Sequence, residues 1–486
     1  MLFQSTEFIL YFLPLIFVGF LALRGLGFVK ASKVYLVIGS LVFYGWWELI
    51  YLGLLIPSIL INYVSGRILL TWKEGHRRLA LLIAVLCANL GVLIYFKYYN
   101  FFADNVNFVL GSSLPLFKVI LPLGISFFTF QQIAYVVDCY RGKSEHYALV
   151  DYALFICFFP HLIAGPIVHH AEIVPQFGNK LEHVKKHFLM GAFIFLIGIV
   201  KKVGIADAFA GWANSGFKNS AHLGLFEGWA TSLSYTIQLY FDFSGYSDMA
   251  IGLALIFNVH FPMNFNSPYK SLNIQDFWRR WHITLGRFLS EYVYVPLGGN
   301  RSGLWQTCRN TLITFFLAGI WHGAGWTFLL WGTAHGIALV IFRLWQQSQI
   351  KMPKVLAWFL TFNFVNAAWV LFRAENLTQA VNVFKSMLGL HGIVLDPVLF
   401  SRFSFLVRPG IVMGNWFSNV GHLDRKFILF TFTAFVILLF MKNSVQKLHK
   451  FDFTWRSAFL LAAVTILAVN VLMSGAKASQ FLYFNF

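Results

Sequence analysis

The chain has 486 residues, of which 58% are apolar and only 12% charged, about half the charge of an ordinary globular protein, and its mean hydropathy is +0.68. That is too little polar material to coat the two or three soluble domains this length would form, so a soluble protein is excluded and lipid is the solvent for most of the chain. Basic residues outnumber acidic ones by 37 to 19, a net +18; in a membrane chain such an excess faces the cytoplasm and anionic headgroups, so membrane lipids are expected partners and no nucleic acid is.

The first seven residues carry no positive charge and no small-residue cleavage site follows, so the apolar run 8–23 is expected to be a membrane helix rather than a cleaved signal. Crossing ~30 Å of hydrocarbon takes about 20 residues. Further candidate segments lie at 34–47, 50–70, 79–97, 118–138, 149–167, 188–205, 226–241, 246–262, 309–322, 325–345, 355–373, 426–441 and 456–474. Several are short or interrupted, which predicts about ten to twelve true spans plus re-entrant and interfacial pieces. No linker or fixed-period repeat divides residues 1–486. The expected class is all-α, one polytopic membrane domain.

Basic loops set the orientation. Arg24, Lys30 and Lys33, then Arg67, Lys73, Arg77 and Arg78, then Arg141 and Lys143 follow alternate spans, which puts these loops in the cytoplasm and the N-terminus outside. The segment 149–167 would carry Lys180, Lys185 and Lys186 to the wrong side. Its Pro160, Gly165 and Pro166 forbid a regular helix, so it is expected to dip in and return.

The longest polar stretch is 270–310. Within it Trp278, His282, Leu285 and Leu289 recur at i, i+4, i+7 and i+11, which predicts one amphipathic helix at the interface with this stripe turned inward. Asp276 can reach Arg280 one turn away.

Motifs for nucleotide-driven pumps, dinucleotide binding, zinc proteases and serine hydrolases are absent. Cys87, Cys139, Cys157 and Cys308 are widely spaced and predict neither a disulfide framework nor a zinc knuckle. His76, His146, His183, His187 and His449 lie in polar loops. His322 lies instead in the apolar run 317–326 with three glycines. An ionisable residue inside a membrane segment is a functional hypothesis by default, against the alternative of a structural hydrogen bond to a neighbouring helix. His335 has a similar setting and is read as structural. No ligand spacing supports a histidine-bound metal, so none is expected. Asp242 and Asp248, between two apolar segments, are either a general acid/base pair or, the favoured reading, anchors for Arg279 and Arg280.

Six blocks carry a resemblance: Leu121-Pro122-Leu123-Gly124-Ile125-Ser126-Phe127-Phe128-Thr129-Phe130-Gln131, Leu162-Ile163-Ala164-Gly165-Pro166, Phe241-Asp242-Phe243-Ser244-Gly245-Tyr246-Ser247-Asp248-Met249-Ala250, Phe277-Trp278-Arg279-Arg280-Trp281-His282-Ile283, Pro296-Leu297-Gly298-Gly299-Asn300-Arg301 and Trp321-His322-Gly323-Ala324. In this order they resemble the membrane-bound O-acyltransferases (MBOAT family), and within them the bacterial alginate O-acetyltransferase-like branch. The ending Phe481-Leu482-Tyr483-Phe484-Asn485-Phe486 is similar to that branch too.

The resemblance implies a bundle around a central tunnel in the bacterial inner membrane. It makes His322 the principal catalytic histidine and His282 the supporting one. It also implies acetyl-CoA as donor, no bound cofactor, and a separate periplasmic or membrane-tethered acyltransferase that completes transfer to an exported polysaccharide. Trp278, Arg279, Arg280, Asp242 and Asp248 are candidates for binding donor or substrate, the arginines by their fit to coenzyme A phosphates. The motifs do not name the polymer; alginate and cellulose are expected ahead of peptidoglycan and teichoic acid. A transporter, which broken helices and buried polar groups would also suit, and a scaffold subunit are the rivals.

Overall fold

The computed structural model describes residues 1–117, 120–395, 411–414, 417–421, 425–448, 454–473 and 481–482. His449 and 483–486 of the terminal motif lie outside the described residues. Among these residues the regular structure is helical, save one parallel ladder that pairs Ile393–Leu395 with Ile411–Met413. All-α is therefore the class.

Seven helices among the described residues are long and apolar enough to cross a bilayer: Glu7–Gly25, Leu49–Thr71, His76–Leu110, Val184–Lys218, Trp326–Gln347, Lys354–Arg373 and Trp455–Met473. Apolar side chains such as Leu10, Leu15, Phe459 and Leu460 are exposed on such helices, as they are where lipid is the solvent. Val29–Gly45, Ile125–Tyr140, Leu304–His322 and Arg425–Phe440 are helical too, shorter or more polar, and complete the bundle.

Three segments expected from the sequence take a definite form. The stretch 149–167 is broken: a helix Leu149–Cys157 ends at Phe158, whose ψ of 112° turns the chain, and a single turn Phe159–Leu162 follows. Every residue from Leu154 to Val168 is buried, which is the setting in which irregular backbone survives at membrane depth.

The segments 226–241 and 246–262, expected as two, are one buried helix, Leu225–Ile256. Charge pairing is the reason. Lys202 Nζ lies 2.7 Å from Asp242 Oδ1, and Lys201 Nζ 2.6 Å from Asp248 Oδ2, so neither carboxylate has to reach water. The lysines belong to the π-helical stretch Val200–Ala206 that continues the helix Val184–Ile199. The two helices cross backbone to backbone: a Cβ on Gly198 would meet the Gly245 carbonyl oxygen at 2.6 Å, and one on Gly245 would meet that of Gly198 at 2.8 Å. Small residues at such crossings are what lipid-solvated helices pack with.

The amphipathic helix expected across 278–289 is also corrected. It is two short helices, Ile274–Trp278 and Ile283–Leu289, joined by a turn in which His282 takes a left-handed conformation with φ 45°. The segment Asn264–Asn266 captures the turn: Asn266 N–H donates to the Arg280 carbonyl at 2.9 Å, and Ile283 N–H to the Asn264 carbonyl at 3.0 Å. These bonds replace the helical ones that residues 280–283 give up. Leu285 and Leu289 still face inward.

Candidate active site

His322 is the last residue of Leu304–His322, and Gly323 continues in extended backbone. A helix C-terminus leaves carbonyls without intrahelical partners. Here Lys97, from the His76–Leu110 helix, donates to the Trp321 carbonyl at 2.5 Å and to the His322 carbonyl at 3.1 Å, while Tyr98 Oη donates to that of Ile320 at 2.7 Å. The imidazole is 3% exposed. Trp321 and Trp331 lie edge-on to it at 4.8 Å between ring centroids, and Phe372 at 5.1 Å.

Glycine sets how near the next helix comes. A Cβ on Gly319 would meet the Phe328 carbonyl oxygen at 2.5 Å, and one on Gly332 that of Phe315 at 2.3 Å. Leu304–His322 and Trp326–Gln347 therefore touch through their backbones, and this fixes the height of His322 beside Trp331.

His322 lines a cavity of about 590 Å³. Trp278, Arg279, Arg287, Tyr294 and Arg343 line it as well. Among the described residues lining it are three arginines and no carboxylate. Trp278 is held in place by His335, whose Nδ1 accepts from the indole Nε1 at 3.2 Å. His335 thus has a partner that fits the structural role read from the sequence.

His282 stands behind the cavity wall. It is 1% exposed, with Phe243 edge-on at 4.7 Å and Trp321 at 6.4 Å. Its Nδ1 donates to Asn264 Oδ1 at 3.1 Å, and the same oxygen accepts from Thr284 Oγ1 at 2.9 Å. Thr284 Oγ1 in turn accepts from Ile167 N–H at 3.0 Å, which ties the broken segment to the turn. The structure brings His322, Trp278 and Arg279 to one cavity, with His282 one aromatic ring away.

The remaining candidates go elsewhere. Arg280 is paired with Asp276 at 2.8 Å, as the spacing implied. Asp242 and Asp248 do not line the cavity. They are anchors, yet their partners are Lys202 and Lys201 rather than Arg279 and Arg280, which corrects the expected pairing. Sequence reasoning missed Lys97 and Arg343. For Lys97 a signal existed, since it is a lone charge at the end of the apolar run 79–97. It also missed a cluster formed by Asp138, His169 and His170, for which the adjacent histidines were the hint.

A family model described as MBOAT, membrane-bound O-acyltransferase family, matches residues 80–378, and the chain belongs to that family. It is a membrane acyltransferase, and the transporter and scaffold readings fall. Among similar proteins is the peptidoglycan O-acetyltransferase of Helicobacter pylori, 44% identical over an alignment that covers 100% of this chain and 98% of that protein. The probable alginate O-acetylase of Pseudomonas aeruginosa is 43% identical over 80% of this chain and 75% of its own length. The teichoic acid D-alanyltransferase of Bacillus subtilis is 27% identical over 54% of this chain and 71% of its own length.

Proposed function

We propose that this acyltransferase takes an acetyl group from cytoplasmic acetyl-CoA in the bacterial inner membrane and delivers it for O-acetylation of an exported envelope polymer. One observation carries the reading: His322 lines a cavity whose charged groups are three arginines. Arg279, Arg287 and Arg343 suit the phosphates of coenzyme A, because a guanidinium matches phosphate oxygens in pairs. An imidazole at His322 takes the proton of an acceptor hydroxyl as its oxygen attacks the thioester carbonyl. The new O–C bond forms, the C–S bond breaks, and the proton passes on to the departing thiolate. General-base help of this kind supplies roughly 10²–10⁴-fold. His282 supports the site by fixing the turn that carries Trp278 and Arg279. No cofactor is needed for this chemistry.

The match along nearly the full length of a peptidoglycan O-acetyltransferase supports peptidoglycan as the acceptor polymer ahead of alginate, reversing the order expected from the sequence alone. The reading includes a periplasmic or membrane-tethered partner that completes the transfer, because the chain has no serine-hydrolase motif to pass the acetyl group on. Deleting the gene and analysing the cell-wall fragments tests it. Loss of acetylated muropeptides, restored by the wild-type chain and not by His322→Ala, is the expected result. Unchanged muropeptide acetylation rules out peptidoglycan, and efficient polymer acetylation by the purified chain alone rules out the partner.

A further inference from the structure

Away from the cavity lining, three side chains far apart in sequence converge at the end of the helix Ile125–Tyr140. His169 Nε2 lies 2.9 Å from Asp138 Oδ2, and His170 Nε2 lies 3.1 Å from the same oxygen. Tyr292 Oη approaches from the π-helical turn Ser290–Tyr294, 2.7 Å from Asp138 Oδ2 and 3.1 Å from His169 Nε2. Among the described residues this is the group of histidine and carboxylate ligands close enough to share an ion.

We propose that Asp138, His169 and His170 bind one divalent transition-metal ion of the zinc class. Ligand atoms at about 2.0–2.1 Å from a tetrahedral zinc stand roughly 3.3 Å from one another. Both histidine nitrogens lie close to that distance from Asp138 Oδ2, at 2.9 and 3.1 Å, and all three ligand atoms lie within 4.8 Å of one another. Two imidazoles and one carboxylate favour zinc over calcium or magnesium, which take oxygen ligands. The carboxylate is used lopsidedly: Oδ2 faces both histidines and the tyrosine, while Oδ1, in a side chain 1% exposed, has no hydrogen-bond partner. An ion that the carboxylate holds through both oxygens satisfies Oδ1 as well; hydrogen bonds to Oδ2 alone leave it orphaned.

The outer shell fits as well. Tyr147 Oη lies 2.9 Å from His170 Nδ1, and a bond on the far nitrogen is what orients a ligating histidine. His169, with 18% of its side chain exposed, gives an ion a way in. The rival is a purely hydrogen-bonded cluster, in which Ala171 N–H donates to His169 Nδ1 at 3.3 Å and the ring proton sits on Nε2. An ion at Nε2 moves that proton to Nδ1 and gives up this long contact.

The site would be structural. It joins three separate pieces of chain: the end of Ile125–Tyr140, the residues after the broken segment, and the turn holding Tyr292. Ser290 and Tyr294, either side of Tyr292, line the cavity of His322, so the ion would brace that wall without touching the reacting atoms. None of this depends on which group the enzyme transfers.

The experiment uses the full chain purified in detergent. Metal analysis after desalting and Zn²⁺ addition should give about one zinc per chain. His169→Gln and Asp138→Asn should each lower that content at least tenfold, while His146→Ala, on an exposed loop, should not change it. Zinc content at background in the wild type, or full content in both ligand variants, overturns the proposal. Should the variants fail to fold, the wild type loaded with Co²⁺ decides. Intense visible bands of a four-coordinate ion support the site, and the pale spectrum of a hydrated ion overturns it.

Discussion

Lys97 Nζ sits 2.5 Å from the carbonyl oxygen of Trp321 and 3.1 Å from that of His322, so a helix elsewhere in the bundle fixes the end of the helix that carries the proposed base. Losing a charged donor to backbone carbonyls costs about 1.5–3 kcal/mol. Lys97→Met should therefore lower the unfolding temperature in detergent and reduce turnover at least tenfold, because His322 loses its fixed height beside Trp331. Lys97→Arg, which keeps a cation there, should recover part of both. Wild-type turnover in a folded Lys97→Met protein would contradict this positioning role.

The histidines themselves should differ. His322→Ala should lose the ~10²–10⁴-fold of general-base help in acetyl-CoA consumption, measured with the partner present and with folding checked by size-exclusion chromatography. His282→Ala should cost less, about the 0.5–1.5 kcal/mol of one hydrogen bond lost at Asn264, whose oxygen still accepts from Thr284. A folded His322→Ala protein with normal turnover would end the proposal for that residue.

The buried ion pairs predict a stability effect separate from activity. Lys202 faces Asp242 at 2.7 Å and Asp207 at 2.8 Å. Breaking a buried pair by removing one partner costs about 3–5 kcal/mol, so Lys202→Met should be severely destabilised. Adding Asp242→Asn removes one of the two stranded carboxylates and should restore part of the loss. A second change that only adds to the damage would show that the pairing is not what holds Asp242.

How legible the chain was depends on the range of the interaction. His322 could be picked out because an imidazole among apolar residues and glycines is anomalous in its own neighbourhood. Arg280 and Asp276 are one helical turn apart, and local spacing sufficed. Asp242 and Asp248 were recognisable as anchors, but Lys201 and Lys202 come from forty or more residues earlier and meet them only because glycines let two helices touch. The turn at His282 was hidden for a related reason. Its stripe of apolar residues satisfies the helical period, and the bonds that break the helix come from Asn264 and Asn266. Lone charges such as Lys97 are visible in sequence; the carbonyls they cap are not.

The arginines at the cavity predict a distinction between donors. If Arg343 holds a phosphate of coenzyme A, Arg343→Gln should raise KM for acetyl-CoA about tenfold, the equivalent of ~1.4 kcal/mol, with kcat little changed. A thioester lacking the nucleotide, acetyl-pantetheine, should be used equally well by variant and wild type. An equal loss with both donors would mean that Arg343 shapes the cavity rather than binding phosphate.

The orientation of the cavity follows from the same charges. By the positive-inside rule, Arg67, Lys73, Arg77 and Arg78 should put the connection between the helices Leu49–Thr71 and His76–Leu110 in the cytoplasm, and a donor made there should enter from that side. Arg301 lies on an exposed turn between the segment carrying Arg287 and the helix ending at His322, so it should face the cytoplasm too. Thr6 and Lys73 are exposed, and Cys87 is the exposed native cysteine, the other three being buried. In a Cys87→Ser background, Thr6→Cys should react with a membrane-impermeant thiol reagent added outside intact spheroplasts. Lys73→Cys and Arg301→Cys should react only after the membrane is opened. If Lys73→Cys labels from outside and Thr6→Cys does not, the orientation is inverted. If Arg301→Cys labels from outside while Lys73→Cys is protected, the arginine-lined cavity opens away from the cytoplasm, and acetyl-CoA could not be its donor.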